Sequence, residues 1–106
     1  MIRVSFLYPN IEGSSFDFDY YLNVHCELSK VRFGSALKGV TIDSGISGIF
    51  PGSKPPYHAV GSLLFDSTEA FYEALSPHID ELKGDVKNFT DVEAVIQISN
   101  VVPDKQ

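Results

Sequence analysis

His25 is the side chain best suited to move a proton near neutral pH, and it follows the stretch Phe16-Asp17-Phe18-Asp19-Tyr20-Tyr21 by four positions. An imidazole needs little perturbation to serve as general acid or base. Residues four apart share one face of a helix, so the Tyr21 phenol can orient the imidazole or hold a substrate oxygen. The same spacing also suits core filling. His78 is a further catalytic candidate, because the macrodipole near a helix N-terminus disfavours its charged form and leaves a neutral donor or acceptor. Tyr20, Phe65 and Asp85 are the candidates for substrate contact, although Asp85, with Asn88 and Thr90, equally suits a loop held by side-chain hydrogen bonds. His58, at a strand start, carries a weaker case.

Other chemistry finds little support. There is no His-x-x-x-His or Cys-x-x-Cys spacing, so no metal site is expected. There is no Gly-x-Gly-x-x-Gly or phosphate loop, which argues against a nucleotide or flavin and for no cofactor. Cys26 has no basic run beside it and is not expected to be a nucleophile.

The elements that must position these groups follow from pattern. Ile2, Val4, Phe6 and Tyr8 alternate with Arg3, Ser5 and Leu7 as in a strand closed by Pro9, Asn10 and Gly13. Asp17 suits a helix cap, with Phe16 and Tyr21 as a hydrophobic staple, and Tyr20, Val24, Leu28 and Val31 carry the helix towards Phe33 and a stop at Gly34. A glycine-rich strand from Leu37 to Ile49 enters the proline loop 50–56, and Tyr57 to Phe65 is strand again. Asp66-Ser67-Thr68-Glu69 has the form of a capping box. Ser76-Pro77 suits the start of a separate helix ending near Gly84. Val92, Ala94, Ile96 and Ile98 mark a last long strand, and residues 103–106 read as a frayed tail.

The order is β-α-β-β-α-β, an α+β ferredoxin-like plan with an antiparallel sheet and helices on one face. Apolar residues fall on both alternating sets, Val95 against Val92, Ala94 and Ile96, and Leu7 against Phe6. A second copy is the simplest cover for the free face, which predicts a homodimer with sheets packed face to face.

The 106 residues suit one domain, 1–106, of ordinary globular composition, with 43% hydrophobic and 21% charged residues. A formal charge of −6 argues against nucleic acid or an anionic membrane as partner. No apolar run is long enough to span a bilayer. The first residues look like a strand and not a secretory signal, and a single cysteine fits a reducing cytoplasm.

Two motifs carry a resemblance. Phe16-Asp17-x-Asp19-Tyr20-Tyr21-x-x-x-His25-x-x-Leu28, and Pro77-His78-Ile79-Asp80-Glu81-Leu82-x-x-Asp85-Val86-x-Asn88-Phe89-Thr90-Asp91, resemble the EthD-like family of the dimeric α/β-barrel group. Tyr57 to Phe65, running into Asp66, Ser67 and Phe71, is similar to that family's third strand and following helix. Two positions depart from its pattern: Glu27 and Lys87 stand where prolines are common. The resemblance implies a dimeric barrel and a cofactor-free enzyme of small hydrophobic, oxygen-bearing molecules in catabolism, of monooxygenase, dehydratase or isomerase type, with His25 as acid or base. The alternative is a non-catalytic dimeric protein that binds a hydrophobic metabolite or assists an oxidase.

Overall fold

The computed structural model describes residues 1–104. Strands β1 (Ile2–Pro9), β2 (Gly39–Ser44), β3 (Tyr57–Phe65) and β4 (Val95–Asn100) form one antiparallel sheet in the order β2-β3-β1-β4. Central β1 sets Ile2 opposite both Phe65 of β3 and Asn100 of β4. After β1 come α1 (Phe18–Tyr20), a π-helical turn (Tyr21–His25) and α2 (Cys26–Phe33), running as one helix. After β3 come α3 (Thr68–Leu75) and α4 (Ile79–Asp85). This is the ferredoxin-like α+β plan that the pattern predicts.

The period-2 alternation of β1 does what its residue types dictate. Ile2, Val4 and Tyr8 are buried and Arg3 is exposed. The buried set anchors two apolar clusters. One gathers Ile2, Val4, Phe33, Phe65, Phe71 and Leu82, and the other Tyr8, Tyr21, Ala59, Phe89 and Val92. Phe65, a sequence candidate for substrate contact, has no exposed surface and packs at 5.3 Å from Phe33 and 5.1 Å from Phe71, measured between ring centroids. It fills the core. On the other face of the sheet Leu7, Val60 and Leu64 stand among Arg3, Ser5 and Ser62, only partly covered.

Local chemistry explains how the first helix starts and stops. Asp17 Oδ1 accepts the Tyr20 N–H at 3.1 Å, and Phe16 lies 5.0 Å from Tyr21, so cap and staple both form. Gly34, at φ +58°, ends the helix where a side chain would be strained.

Other boundaries differ from the pattern. The cap of α3 is Ser67 and not Asp66: Ser67 Oγ accepts the Ala70 N–H at 3.1 Å, while the Asp66 carboxylate faces Lys38 Nζ at 3.9 Å. Ser76 caps nothing. Its hydroxyl donates back to the Tyr72 carbonyl at 2.8 Å, and a 3-10 turn (Ser76–His78) carries α3 straight into α4 with Pro77 in its first positions, where no N–H is needed. β2 spans only Gly39–Ser44 of the expected 37–49. β4 begins at Val95 and not Val92, because Thr90 draws the preceding segment towards the first helix: its hydroxyl donates to the Ser15 carbonyl at 2.7 Å and accepts the Val92 N–H at 3.3 Å. Of the expected tail, Pro103 and Asp104 form no regular element, and residues 105 and 106 lie outside the described residues.

Candidate functional site

The π-helical turn organises the site. The Cys26 N–H donates to the Tyr21 carbonyl five residues back, so this turn holds one residue more than an α-helical turn. Such single turns recur at functional positions. Here it brings Tyr21 and His25 inward together: both are buried, their rings 6.0 Å apart and within 17° of parallel. Phe89 packs on the imidazole at 4.7 Å.

His25 Nδ1 lies 2.9 Å from Asp85 Oδ2, across 60 residues of sequence. Asp85 Oδ1 accepts from the Tyr20 hydroxyl at 2.6 Å and from Asn88 Nδ2 at 3.0 Å. Asn88 Nδ2 also lies 3.3 Å from the Tyr20 hydroxyl. Burial works to raise the Asp85 carboxyl, but hydrogen bonds from Tyr20, Asn88 and His25 outweigh it and hold the group below its ordinary value. An ionised carboxylate only accepts. His25 therefore presents N–H at Nδ1, which in the neutral ring leaves the lone pair on Nε2.

Among the described residues no buried side-chain nitrogen or oxygen lacks a partner. Nε2 has no hydrogen-bond partner, so it reaches open space, and His25 forms part of the wall of a cavity of about 780 Å³ between sheet and helices. That volume falls in the usual range for small-molecule sites. Phe6, Tyr8, Tyr21, Phe33, Leu63 and Ile98 contribute apolar wall. A smaller cleft of about 310 Å³, between Ser15–Asp17 and Lys87–Asp91, does not include the imidazole.

Two phenols and a thiol complete the surroundings. Burial pushes the pKa of both Tyr8 and Tyr21 well above that of an ordinary phenol, so both stay hydroxyl donors at neutral pH. Burial also pushes the Cys26 thiol up to about 11, despite a hydrogen bond with Tyr21. It is a thiol and not a thiolate near neutral pH. The Tyr21 hydroxyl fits only because β3 offers Gly61 beneath it.

Of the residues singled out in the sequence, His25 and Tyr21 meet at the cavity wall. Tyr20 and Asp85 also come together, but behind the imidazole, where they hold it and do not line the cavity. His78 sits half-buried in the turn between α3 and α4 and is not part of the lining. His58 Nε2 lies 2.8 Å from Ser14 Oγ. The sequence reading did not find Asp85 as the partner of His25, nor Asn88 and Tyr8 as neighbours. The Asp85-x-x-Asn88 spacing was visible, but nothing local ties it to the first helix. Among the described residues, no three His, Cys, Asp or Glu side chains gather as a metal site, and no helix is long and apolar enough to cross a membrane.

A ferredoxin-like α+β chain with an aspartate-held histidine at the wall of a largely apolar cavity is the class that fold and site define. The EthD domain model matches residues 13–93. The crystal structure of an EthD-like protein from Ralstonia eutropha JMP134 is 39% identical, with a TM-score of 0.92 over 98% of this chain and 94% of that one. The chain belongs to the EthD family. An ethyl tert-butyl ether D (EthD) family protein from Bacillus halodurans C-125 shares the fold at 17% identity and TM-score 0.68, covering 96% of this chain and 99% of its own. An antibiotic biosynthesis monooxygenase does so at 16% identity and TM-score 0.57, with 97% and 100% covered. No curated protein matches the sequence.

Proposed function

We propose that this EthD-family chain is an enzyme of small, largely apolar, oxygen-bearing molecules, in which His25 Nε2 takes a proton from a C–H or O–H beside a carbonyl or phenol. The observation that carries this reading is the His25–Asp85 pair at 2.9 Å, with the imidazole in the cavity wall. Asp85 fixes the tautomer and stabilises the imidazolium that forms, while Tyr20 and Asn88 fix Asp85. A phenol kept protonated by burial, Tyr21 or Tyr8, donates to the oxygen that gains charge. The resulting carbanion or phenolate can be reprotonated at another atom, expel a leaving group, or reduce dioxygen, which are the isomerase, dehydratase and monooxygenase outcomes. No metal or organic cofactor is required by this reading. His78 takes no part in it.

The partly covered face with Leu7, Val60 and Leu64 supports a two-fold homodimer with sheets packed face to face. A cytoplasmic, catabolic setting accords with the free Cys26 and the apolar cavity.

The test is solvent-deuterium exchange at the acidic C–H of 2-tetralone, followed by NMR, for the natural chain and His25→Ala. Exchange should fall at least about 100-fold in the variant, with the far-UV circular dichroism unchanged. Full retention in a folded variant refutes the assignment. If 2-tetralone binds but never exchanges, the chain is a carrier.

A further inference from the structure

Three of the chain's eight basic residues, Lys30, Lys83 and Lys87, line the cavity of a protein whose net charge is −6. All three are exposed, so their ammonium groups are open to solvent and to a ligand. Lys30 is held by Glu27 at 3.1 Å. Among the described residues, neither the Lys83 nor the Lys87 ammonium has an ion-pair or hydrogen-bond partner. They stand four positions apart, one at the end of α4 and one in the 3-10 turn (Val86–Asn88) that continues it. Like charges at that spacing repel across a helix face, and an anion between them removes the repulsion. The acids on the lining are Asp91 and Glu93, in the segment before β4. Asp91 accepts the Ser15 N–H at 3.0 Å, and among the described residues neither Asp91 nor Glu93 forms an ion pair with a lysine. Asp85, between the two lysines in sequence, turns its carboxylate to His25, Tyr20 and Asn88 and does not neutralise them.

We propose that the natural substrate is an amphipathic anion: an apolar, oxygen-bearing body inside the cavity and a carboxylate docked on Lys83 and Lys87 at its mouth. This deepens the reading of the cavity as a substrate site and rests on it. The ammonium groups fix which end of the molecule enters first, and so which C–H or O–H is presented to His25 Nε2. They also attract the anion to a molecule whose overall charge repels it.

The experiment compares anthracene-2-carboxylate with neutral anthracene-2-carboxamide, by fluorescence titration against the natural chain and the Lys83→Gln/Lys87→Gln variant. An exposed ion pair is worth a few-fold in affinity, so two together give roughly tenfold. The carboxylate should bind about tenfold more tightly than the carboxamide in the natural chain, and the gap should shrink with salt. In the double variant the gap should close because the carboxylate weakens while the carboxamide is unchanged. Lys54→Gln, outside the cavity lining, should leave the gap intact. Equal affinities for the two compounds in the natural chain, or a preference that survives in Lys83→Gln/Lys87→Gln, overturns the proposal and leaves the role of His25 standing. Failure of both compounds to bind the folded protein overturns it as well. Loss of the His25 reading shows separately, in deuterium exchange and not in this ratio.

Discussion

Adding one methyl group at Gly61 tests how closely the Tyr21 phenol is held. A Cβ at Gly61 would stand 2.5 Å from Tyr21 Oη and 3.8 Å from its Cζ. The second distance is an ordinary contact, while the first is about 1 Å too short. The ring is hemmed in by three others, Phe16 at 5.0 Å, Tyr8 at 5.6 Å and Phe89 at 5.0 Å, which limit its retreat towards the cavity. Overpacking of this kind costs roughly 1–3 kcal/mol, against roughly 0.5–1 kcal/mol regained by removing a glycine from a strand. Gly61→Ala should therefore lower stability by about 1–2 kcal/mol in net terms. In a Tyr21→Phe background the offending oxygen is gone, and the same substitution should be neutral or stabilising by about 0.5 kcal/mol. Urea unfolding of the four proteins at one fixed concentration, read by circular dichroism, gives the coupling. A cost for Gly61→Ala that is equal in both backgrounds, within about 0.5 kcal/mol, would refute the argument.

Ser67→Ala should destabilise the protein by about 1 kcal/mol through loss of its bond to the Ala70 N–H, whereas Asp66→Ala should change stability by only a few tenths; urea midpoints distinguish the two. Asp85 carries a pH signature. Its folded pKa is depressed, so the stability it contributes is present above the unfolded carboxylate pKa, near 4, and is lost as pH falls through the lower folded value. The gap in unfolding free energy between the natural chain and Asp85→Asn should thus narrow as pH falls below about 4. A gap that widens below that pH would contradict the hydrogen bonds assigned to that carboxylate.

How much could be read without coordinates depended on whether the governing interaction was local. The Asp17 cap, the Phe16–Tyr21 staple, the Gly34 stop and the alternation of β1 involve neighbours in sequence, and all four appear in the structure as the residue types dictate. The Tyr21–His25 pairing was legible for the same reason. The Asp85 partnership was not, because it joins chain segments that meet only once the helices have packed on the sheet. Phe65 looked like an aromatic available to substrate, but its strand register puts it opposite Ile2, in the middle of a cluster. The displaced cap at Ser67 and the late start of β4 each reflect competition by a partner far along the chain: Lys38 for Asp66, and Ser15 for Thr90.

The π turn between Tyr21 and His25 also ties the site to the fold. On one side of the turn Tyr21 belongs to the cluster with Tyr8 and Phe89; on the other Phe33 belongs to the cluster with Val4 and Phe65. A deletion among the exposed residues Leu22, Asn23 and Val24 removes the extra residue and closes the turn to an α-helical one, with both ends still seated. One residue more rotates everything beyond it by about 100° around the helix axis. Such an insertion must either swing Phe33 out of its pocket or turn His25 away from Asp85. The azimuth of the imidazole is therefore inherited along with the ability to fold, and growth in helix length is removed by instability before it can be tested as a change in chemistry.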